Sequence, residues 1–236
     1  MKRAIALAAG LGLRLRPITL TLPKPLVEVG GKTLLDHALD KLSQAGISDC
    51  VVNMHHLADK IAGHVKGRQS PAVTLSDESD LRLETGGGIL KALPFFAGEA
   101  FLAVNADILW TDPPGVEPAL ARLKESWNDG AMDALLLLVK RQGAFGYDGP
   151  GDFSLAEEGR LGRRGQALEA PFVFAGVQIL HPRLFEGAPP GPFSLNLLYD
   201  KALAQGRLYG LAHLGGWYHI GTPEALSKAR ILLDPP

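Results

Sequence analysis

Chemistry in this chain is concentrated where glycines, isolated cations and a carboxylate stand next to apolar runs. Gly10-Leu11-Gly12-Leu13-Arg14-Leu15-Arg16-Pro17 follows directly on the apolar run Ala4–Ala9. Glycines in that position let the backbone approach phosphates, and Arg14 and Arg16 add positive charge. The loop lacks the Gly-Lys-Ser/Thr of a P-loop, and Leu15 stands where a dinucleotide fingerprint needs its third glycine. By itself a Gly-x-Gly is equally a tight turn. Pro23 and Pro25 bracket Lys24 and restrict the backbone on both sides of it, so its ammonium can be aimed. Asn105-Ala106-Asp107 closes the apolar run Phe101–Val104. A carboxylate at the carboxyl end of a strand, beside a phosphate loop, is placed to hold Mg²⁺; an isolated Asp there otherwise caps a turn. Leu83-Glu84-Thr85-Gly86-Gly87-Gly88-Ile89 sets three glycines ahead of a helical stretch at Ile89–Leu93, which puts bare backbone at a helix N-terminus.

Such residues need elements to hold them. Ala4–Ala9, Cys50–Asn53, Phe101–Asn105 and Ala134–Val139 are apolar without much alternation, as strands covered on both faces are. Leu34, Leu35, Ala38, Leu39 and Leu42 recur at helical spacing, with Asp36, Asp40 and Lys41 on the other face. Leu57, Ile61 and Val65, then Leu120, Leu123 and Trp127, repeat the pattern more weakly. Strand, helix, strand in succession predicts right-handed βαβ units in an α/β fold with a doubly wound, mostly parallel sheet. Ligands of such sheets bind outside the carboxyl ends of the strands, where the glycine loop emerges.

After about residue 140 the pattern changes. Gly143–Gly151 is a loop, and Asp152–Leu155 with Phe172–Leu180 predict antiparallel strands around a basic loop, Arg160–Gly165. A helix at Leu195–Ala204, a strand near Leu208–Ala212 and a helix at Pro223–Leu233 follow. With no Pro/Ser linker and no hexapeptide repeat, the expectation is a single domain over 1–236. Its parts are a main part at 1–140, a small antiparallel lobe with a late motif region at 141–222, and a C-terminal helix at 223–236.

The 236 residues carry 24 Lys+Arg against 25 Asp+Glu, a formal net charge of -1, which leaves no footprint for bulk nucleic-acid or membrane binding. At 46% hydrophobic and 21% charged residues, the chain can bury a sizeable core and is not a disordered one. A lone cysteine, Cys50, excludes a disulfide framework and a multi-cysteine zinc site. Met1-Lys2-Arg3 imitates a secretory start, yet Ala4–Ala9 is shorter than the roughly 7–15 apolar residues such a signal needs. A cytoplasmic protein is expected, a monomer by default because no helix offers a coiled-coil seam.

L-A-A-G-x-G-x-R-x-x-P-x-T over Leu7–Thr19, followed by Pro23-Lys24-Pro25-Leu26, resembles the sugar-1-phosphate nucleotidyltransferase family. The resemblance extends through almost the whole chain. It implies an enzyme that joins a nucleoside triphosphate to a sugar 1-phosphate and releases pyrophosphate, with 1–140 binding nucleotide and the lobe binding sugar. It assigns Arg14 to the leaving pyrophosphate and Lys24 to the α-phosphate. The backbone of Leu7, Ala8, Ala9, Gly10 and Gly12 would line the nucleotide, and Thr85 with Gly86 would meet the base edge. Asp107 would hold the catalytic metal, Mg²⁺. The family's second metal ligand lies in a late W-x-D-x-G-T motif, where this chain reads Trp217-Tyr218-His219-Ile220-Gly221-Thr222. His219 then either ligates a softer ion such as Mn²⁺, bonds a metal-bound water, or marks a lost second site.

The variant L-E-T-G-G-G-I, with Gly151-Asp152-Phe153, resembles the bacterial N-acetylmuramic acid 1-phosphate uridylyltransferases of peptidoglycan recycling. UTP and N-acetylmuramic acid 1-phosphate are therefore the expected substrates. Mannose-1-phosphate guanylyltransferases, which read more like L-G-T-A-G, or a related sugar nucleotidyltransferase using GTP or dTTP, are the alternative. The family's E-K-P segment for the sugar phosphate is missing, leaving Arg160, Arg163 and Arg164 as candidate cations, one of them for the muramoyl carboxylate. Asn53 and Asp152 are candidates for sugar hydroxyls, and Gly176 matches a glycine of the sugar lobe. His219 also leaves open a nucleotide-sugar-binding regulator without catalysis. A dinucleotide-dependent oxidoreductase lacks its acidic residue, because Pro23–Leu26 stands there. His55-His56, His37, His64 and His181, the tryptophans Trp110, Trp127 and Trp217, and Cys50 read as ordinary packing or turn positions.

Overall fold

The apolar runs become strands, and the amphipathic segments become the helices that cover them. The structure is a computed structural model and describes residues 1–234. In chain order it begins with β1 (Arg3–Leu7), the short pair β2 (Glu28–Val29) and β3 (Lys32–Thr33), α1 (Leu34–Gln44), β4 (Asp49–Met54) and α2 (Ala58–Val65). Next come β5 (Ala72–Asp77), α3 (Glu84–Ala92), β6 (Phe101–Asn105), β7 (Ile108–Trp110), α4 (Ala119–Ser126) and β8 (Ala134–Lys140). The last part holds β9 (Phe153–Leu155), β10 (Leu161–Arg163), β11 (Phe172–Leu180), α5 (Asn196–Ala204), β12 (Leu208–Ala212), β13 (Trp217–His219) and α6 (Pro223–Leu233).

Among the described residues nine strands form one sheet, and its centre is largely parallel. β6, β1, β4 and β5 lie side by side and parallel. β11 is inserted antiparallel between β6 and β8, and β12 runs parallel to β8, so β11 and the short β10 oppose the remaining strands. Alternate residues serve opposite faces. Ala4, Ala6, Val52, Val104 and Leu137 pack under α1, α2 and α4, whereas Ile5, Val51, Ala103 and Leu136 pack under α3 and α5. Each large side chain buried this way contributes roughly 1.5–3 kcal/mol. α1 starts at Thr33, whose hydroxyl accepts the Asp36 amide, and α6 starts the same way at Thr222 with Ala225.

Three departures from the sequence reading concern the site. α3 begins at Glu84, so Gly86, Gly87 and Gly88 lie buried inside it and do not precede it. The expected basic loop contains a strand, β10, paired with β9. The ribbon β7–β13 sets His219 opposite Ile108 and so carries the late motif back to the residue after Asp107. Among the described residues no helix is long and apolar enough to cross a membrane.

Register decides where a site can form. Leu7 is paired with Asn53 on one side and Asn105 on the other, so the carboxyl ends of β1, β4 and β6 share one rim. β11 reaches that rim through an irregularity between Phe174 and Gln178 that contains Gly176, at φ +78°. A Cβ there would lie 2.9 Å from both Asn105 Nδ2 and Ile108 Cδ1. Gly176→Ala should therefore lower unfolding stability by roughly 2–4 kcal/mol, from left-handed strain plus overpacking. Chemical denaturation checks this; an unchanged midpoint and slope would contradict it.

Candidate active site

The glycine loop leaves β1 and turns at Gly12, φ +60°. Its carbonyl accepts the Leu15 amide at 2.9 Å and the Thr19 hydroxyl at 2.8 Å. A Cβ on Gly12 would stand 2.8 Å from Thr19 Cγ2 and 3.1 Å from Lys24 Cβ, so the loop lies directly on the segment carrying the lysine. Pro23, Lys24 and Pro25 form a single tight turn that directs the lysine inward. Lys24 is buried, and its Nζ donates to Asp107 Oδ2 at 2.8 Å. An ammonium taken out of water needs such a partner. The Asp107 side chain keeps 39% of its exposure and is open to a further ligand.

Two cavities meet at this ion pair. The first, about 330 Å³, has Leu7, Ala8, Ala9, Gly10 and Gly12 on one wall and Arg82, Glu84 and Thr85 on the other. Its volume suits a small-molecule ligand. The second, about 210 Å³, is lined by Arg14, Tyr147, Asp152, Gly176 and His219, among others. Lys24, Asn105 and Asp107 line both.

The far wall of the first cavity is built by close packing. A Cβ on Gly86 would lie 2.2 Å from the Phe193 ring, and one on Gly87 would lie 2.4 Å from the Gly191 carbonyl oxygen. The Gly86 amide donates to Phe193 O at 2.9 Å, so it is engaged rather than bare. Thr85 accepts the Leu195 amide through its hydroxyl. Glu84 holds φ +59°, a left-handed conformation on a residue that lines the cavity.

In the second cavity, Arg14 Nη2 donates to His219 Nε2 at 3.1 Å. Burial, then the charges of Lys24 and Arg14, pull the His219 pKa below the ordinary histidine value, which favours the neutral ring. Because a guanidinium can only donate, Nε2 is the acceptor. With that nitrogen facing Arg14, the hard oxygen donor at the junction is Asp107. Among the described residues no three His, Cys, Asp or Glu side chains gather to hold an ion by themselves. The donor set fits an ion held by one carboxylate and completed by substrate phosphates and water, the usual manner of Mg²⁺.

Asp152 Oδ2 accepts the Phe174 amide at 2.8 Å, which fixes its carboxylate against β11 at the cavity wall. Arg160, Arg163 and Arg164 do not line this cavity. Arg163 donates to Asp200 at 2.7 Å and lies over the Phe153 ring, Arg160 lies over Tyr209, and Arg164 bonds the Ala167 carbonyl. Asn53 also departs from the expectation. It lines the first cavity, not the second, and its amide is consumed by Ala8 and Glu78 at 2.7 Å each. Arg82, Ser194, Asn105 and Tyr147 are lining residues the sequence reading passed over. Only Asn105 carried a signal, from its place beside Asp107.

A family model described as nucleotidyl transferase matches residues 3–157. The chain is 39% identical to a Caulobacter vibrioides protein named N-acetylmuramate alpha-1-phosphate uridylyltransferase, covering 98% of this chain and 97% of that one. A Neisseria meningitidis protein of the same name is 35% identical over the same shares. The fold is also that of a UDP-glucose pyrophosphorylase from Acinetobacter baumanii, with TM-score 0.81 and 17% identity, covering 98% of this chain and 93% of that one.

The His219 geometry has a measurable consequence. In the unfolded chain its imidazole takes a proton near 6.5, and in the fold only at lower pH. The unfolded state therefore binds the proton first as pH falls below 6.5, and stability declines until the folded-state value is passed. Arg14→Ala removes both a donor to the neutral ring and a repelling charge, so the titration should move upward. A histidine-resolved NMR titration checks this; no movement, or a downward one, would contradict the pairing.

Proposed function

The chain belongs to the nucleotidyl transferase family, and on that premise we propose that it transfers the uridylyl group of UTP to N-acetylmuramic acid 1-phosphate and releases pyrophosphate. The observation that carries this reading is the meeting of two cavities over Lys24 and Asp107. Nucleotide occupies the first, lined mostly by the part spanning 1–140 with Ser194 added, and sugar phosphate the second, against Asp152 and Gly176 of the lobe at 141–222. The choice of UTP and of the muramoyl sugar is supported by the names of the two bacterial relatives.

A phosphate oxygen of the sugar 1-phosphate attacks the α-phosphorus in line. The bond from that phosphorus to the oxygen bridging the α- and β-phosphates breaks, and pyrophosphate leaves with the electron pair. The nucleophile is already ionised at neutral pH, so the protein has to position the reactants and neutralise charge. Lys24 holds the α-phosphate; Arg14, expected at the leaving pyrophosphate, lines the second cavity beside His219, and in this reading its charge meets the phosphate of the sugar. Asp107 would hold the divalent ion, Mg²⁺ in our reading, whose charge offsets that of the phosphates. Asp152 presents a carboxylate to sugar hydroxyls. We place the enzyme in the cytoplasm as a monomer, serving the reuse of cell-wall sugar.

Pyrophosphate release tests the reading, with UTP, GTP, dTTP, CTP and ATP crossed against muramoyl, glucosaminyl, glucosyl and mannosyl 1-phosphates. UTP with the muramoyl substrate should dominate. A dominant pair of GTP and mannose 1-phosphate would move the substrate assignment, and silence throughout would favour a binding protein without catalysis. Lys24→Ala and Asp107→Ala should each lower kcat by about 10²-fold or more with the circular dichroism spectrum retained. Activity near that of the unchanged chain in either variant would remove the proposed centre.

A further inference from the structure

Beneath the first cavity lies a polar chain that touches no cavity space at its acidic end. The Ala8 amide donates to Asn53 Oδ1 at 2.7 Å, Asn53 Nδ2 donates to Glu78 Oε1 at 2.7 Å, and the Leu83 amide donates to Glu78 Oε2 at 3.0 Å. Asn53 and Glu78 are each 2% exposed. The backbone of Glu78 is fixed in turn, its amide on Met54 O at 2.8 Å and its carbonyl on His55 Nδ1 at 2.7 Å. Gly88 makes room, since a Cβ there would stand 2.7 Å from Glu78 Oε1 and 2.8 Å from Asn53 Nδ2.

The ends of this chain belong to opposite walls of the cavity. Ala8 lies on the wall after β1, and Leu83 directly precedes Glu84 and Thr85 on the other. We infer that Asn53 and Glu78 are positioning residues which clamp the two walls at the separation a nucleotide needs; this rests on the first cavity being the nucleotide site.

The donor and acceptor count makes the clamp specific. Both ends are backbone N–H donors, so the two side chains between them must include one group that only accepts. An amide plus a carboxylate satisfies every link, in either order. Two amides leave two donors facing each other, whereas two carboxylates can still close the link by sharing one proton. A buried mismatch of the first kind is costly, because the orphaned group has lost water as well as its partner.

Glu78→Gln creates such a mismatch at any pH, whereas the double variant Asn53→Asp/Glu78→Gln restores all three links with the charge moved from position 78 to position 53. In calorimetric titration with UTP, the Glu78→Gln variant should bind about ten-fold or more weakly, the size of one lost charge-assisted bond. In the assay the KM for UTP should rise while the KM for N-acetylmuramic acid 1-phosphate stays within about two-fold. The double variant should recover UTP affinity to within about three-fold, and amide exchange at Ala8 and Leu83 should be fast in Glu78→Gln and slow again in the double. Exchange is read without ligand, so a wrong choice of substrate is separable from a failed clamp. A Glu78→Gln variant that binds UTP normally, or a double variant as weak as Glu78→Gln, would overturn the inference. Equal rises in both KM values would also overturn it, since a general loss of structure would act on both.

Discussion

The ion pair between Lys24 and Asp107 is the constraint around which the site is assembled. A buried ammonium and a part-buried carboxylate at 2.8 Å contribute little net stability, because desolvation offsets most of their attraction. What the pair fixes is position. It ties the proline-bracketed turn after the glycine loop to the end of β6, residues 83 positions apart. Gly12 is confined by contact with the same lysine. The β7–β13 ribbon begins one residue beyond Asp107 and carries His219 to Arg14. Strand ends, loop and ribbon thus converge on one cation and one anion, which lie where the two cavities join.

Charge at that junction is asymmetric in a useful way. Lys24 and Arg14 bring two positive groups, while Asp107 offers an oxygen donor that remains partly exposed. An aspartate at position 219 would have offered Arg14 a charged partner; a neutral imidazole holds the guanidinium in place and leaves its charge uncompensated. That arrangement suits the phosphate-rich substrates of the nucleotidyl transferase family. It also changes how the late motif is understood, because the ring that lines the cavity has its Nε2 engaged by a cation.

Much of the frame was legible in the sequence, and the reasons are physical. Apolar runs such as Ala134–Val139 can be stable only under cover on both faces, and the heptad-like leucines of α1 can face only one way. The glycine loop, Lys24 and Asp107 were legible through the motif they share with the sugar-1-phosphate nucleotidyltransferases, since a Gly-x-Gly, a loop lysine and an aspartate after a strand are each by themselves ordinary turn features. β5 escaped notice because it is an edge strand with mostly exposed side chains, and β7–β13 because its partners lie far apart in sequence. Glu78 sits in Ser-Asp-Glu-Ser-Asp, which reads as a solvated turn although Glu78 itself is buried. Asn53 was assigned to sugar since a polar residue at a strand end usually faces a ligand; here its amide is taken up by protein partners. The arginines of 160–164 illustrate the reverse case, cations near the right segment that β10 and its neighbours turn elsewhere.

The position of a bound UDP-N-acetylmuramic acid product is the most direct test of the central claim, that nucleotide and sugar meet over Lys24 and Asp107. A crystal structure of that complex should show the diphosphate at the ion pair, uracil between the Gly10–Gly12 backbone and Thr85, and the sugar against Asp152 and Gly176. A product lying with its sugar in the first cavity, or with its diphosphate away from Lys24, would contradict the account.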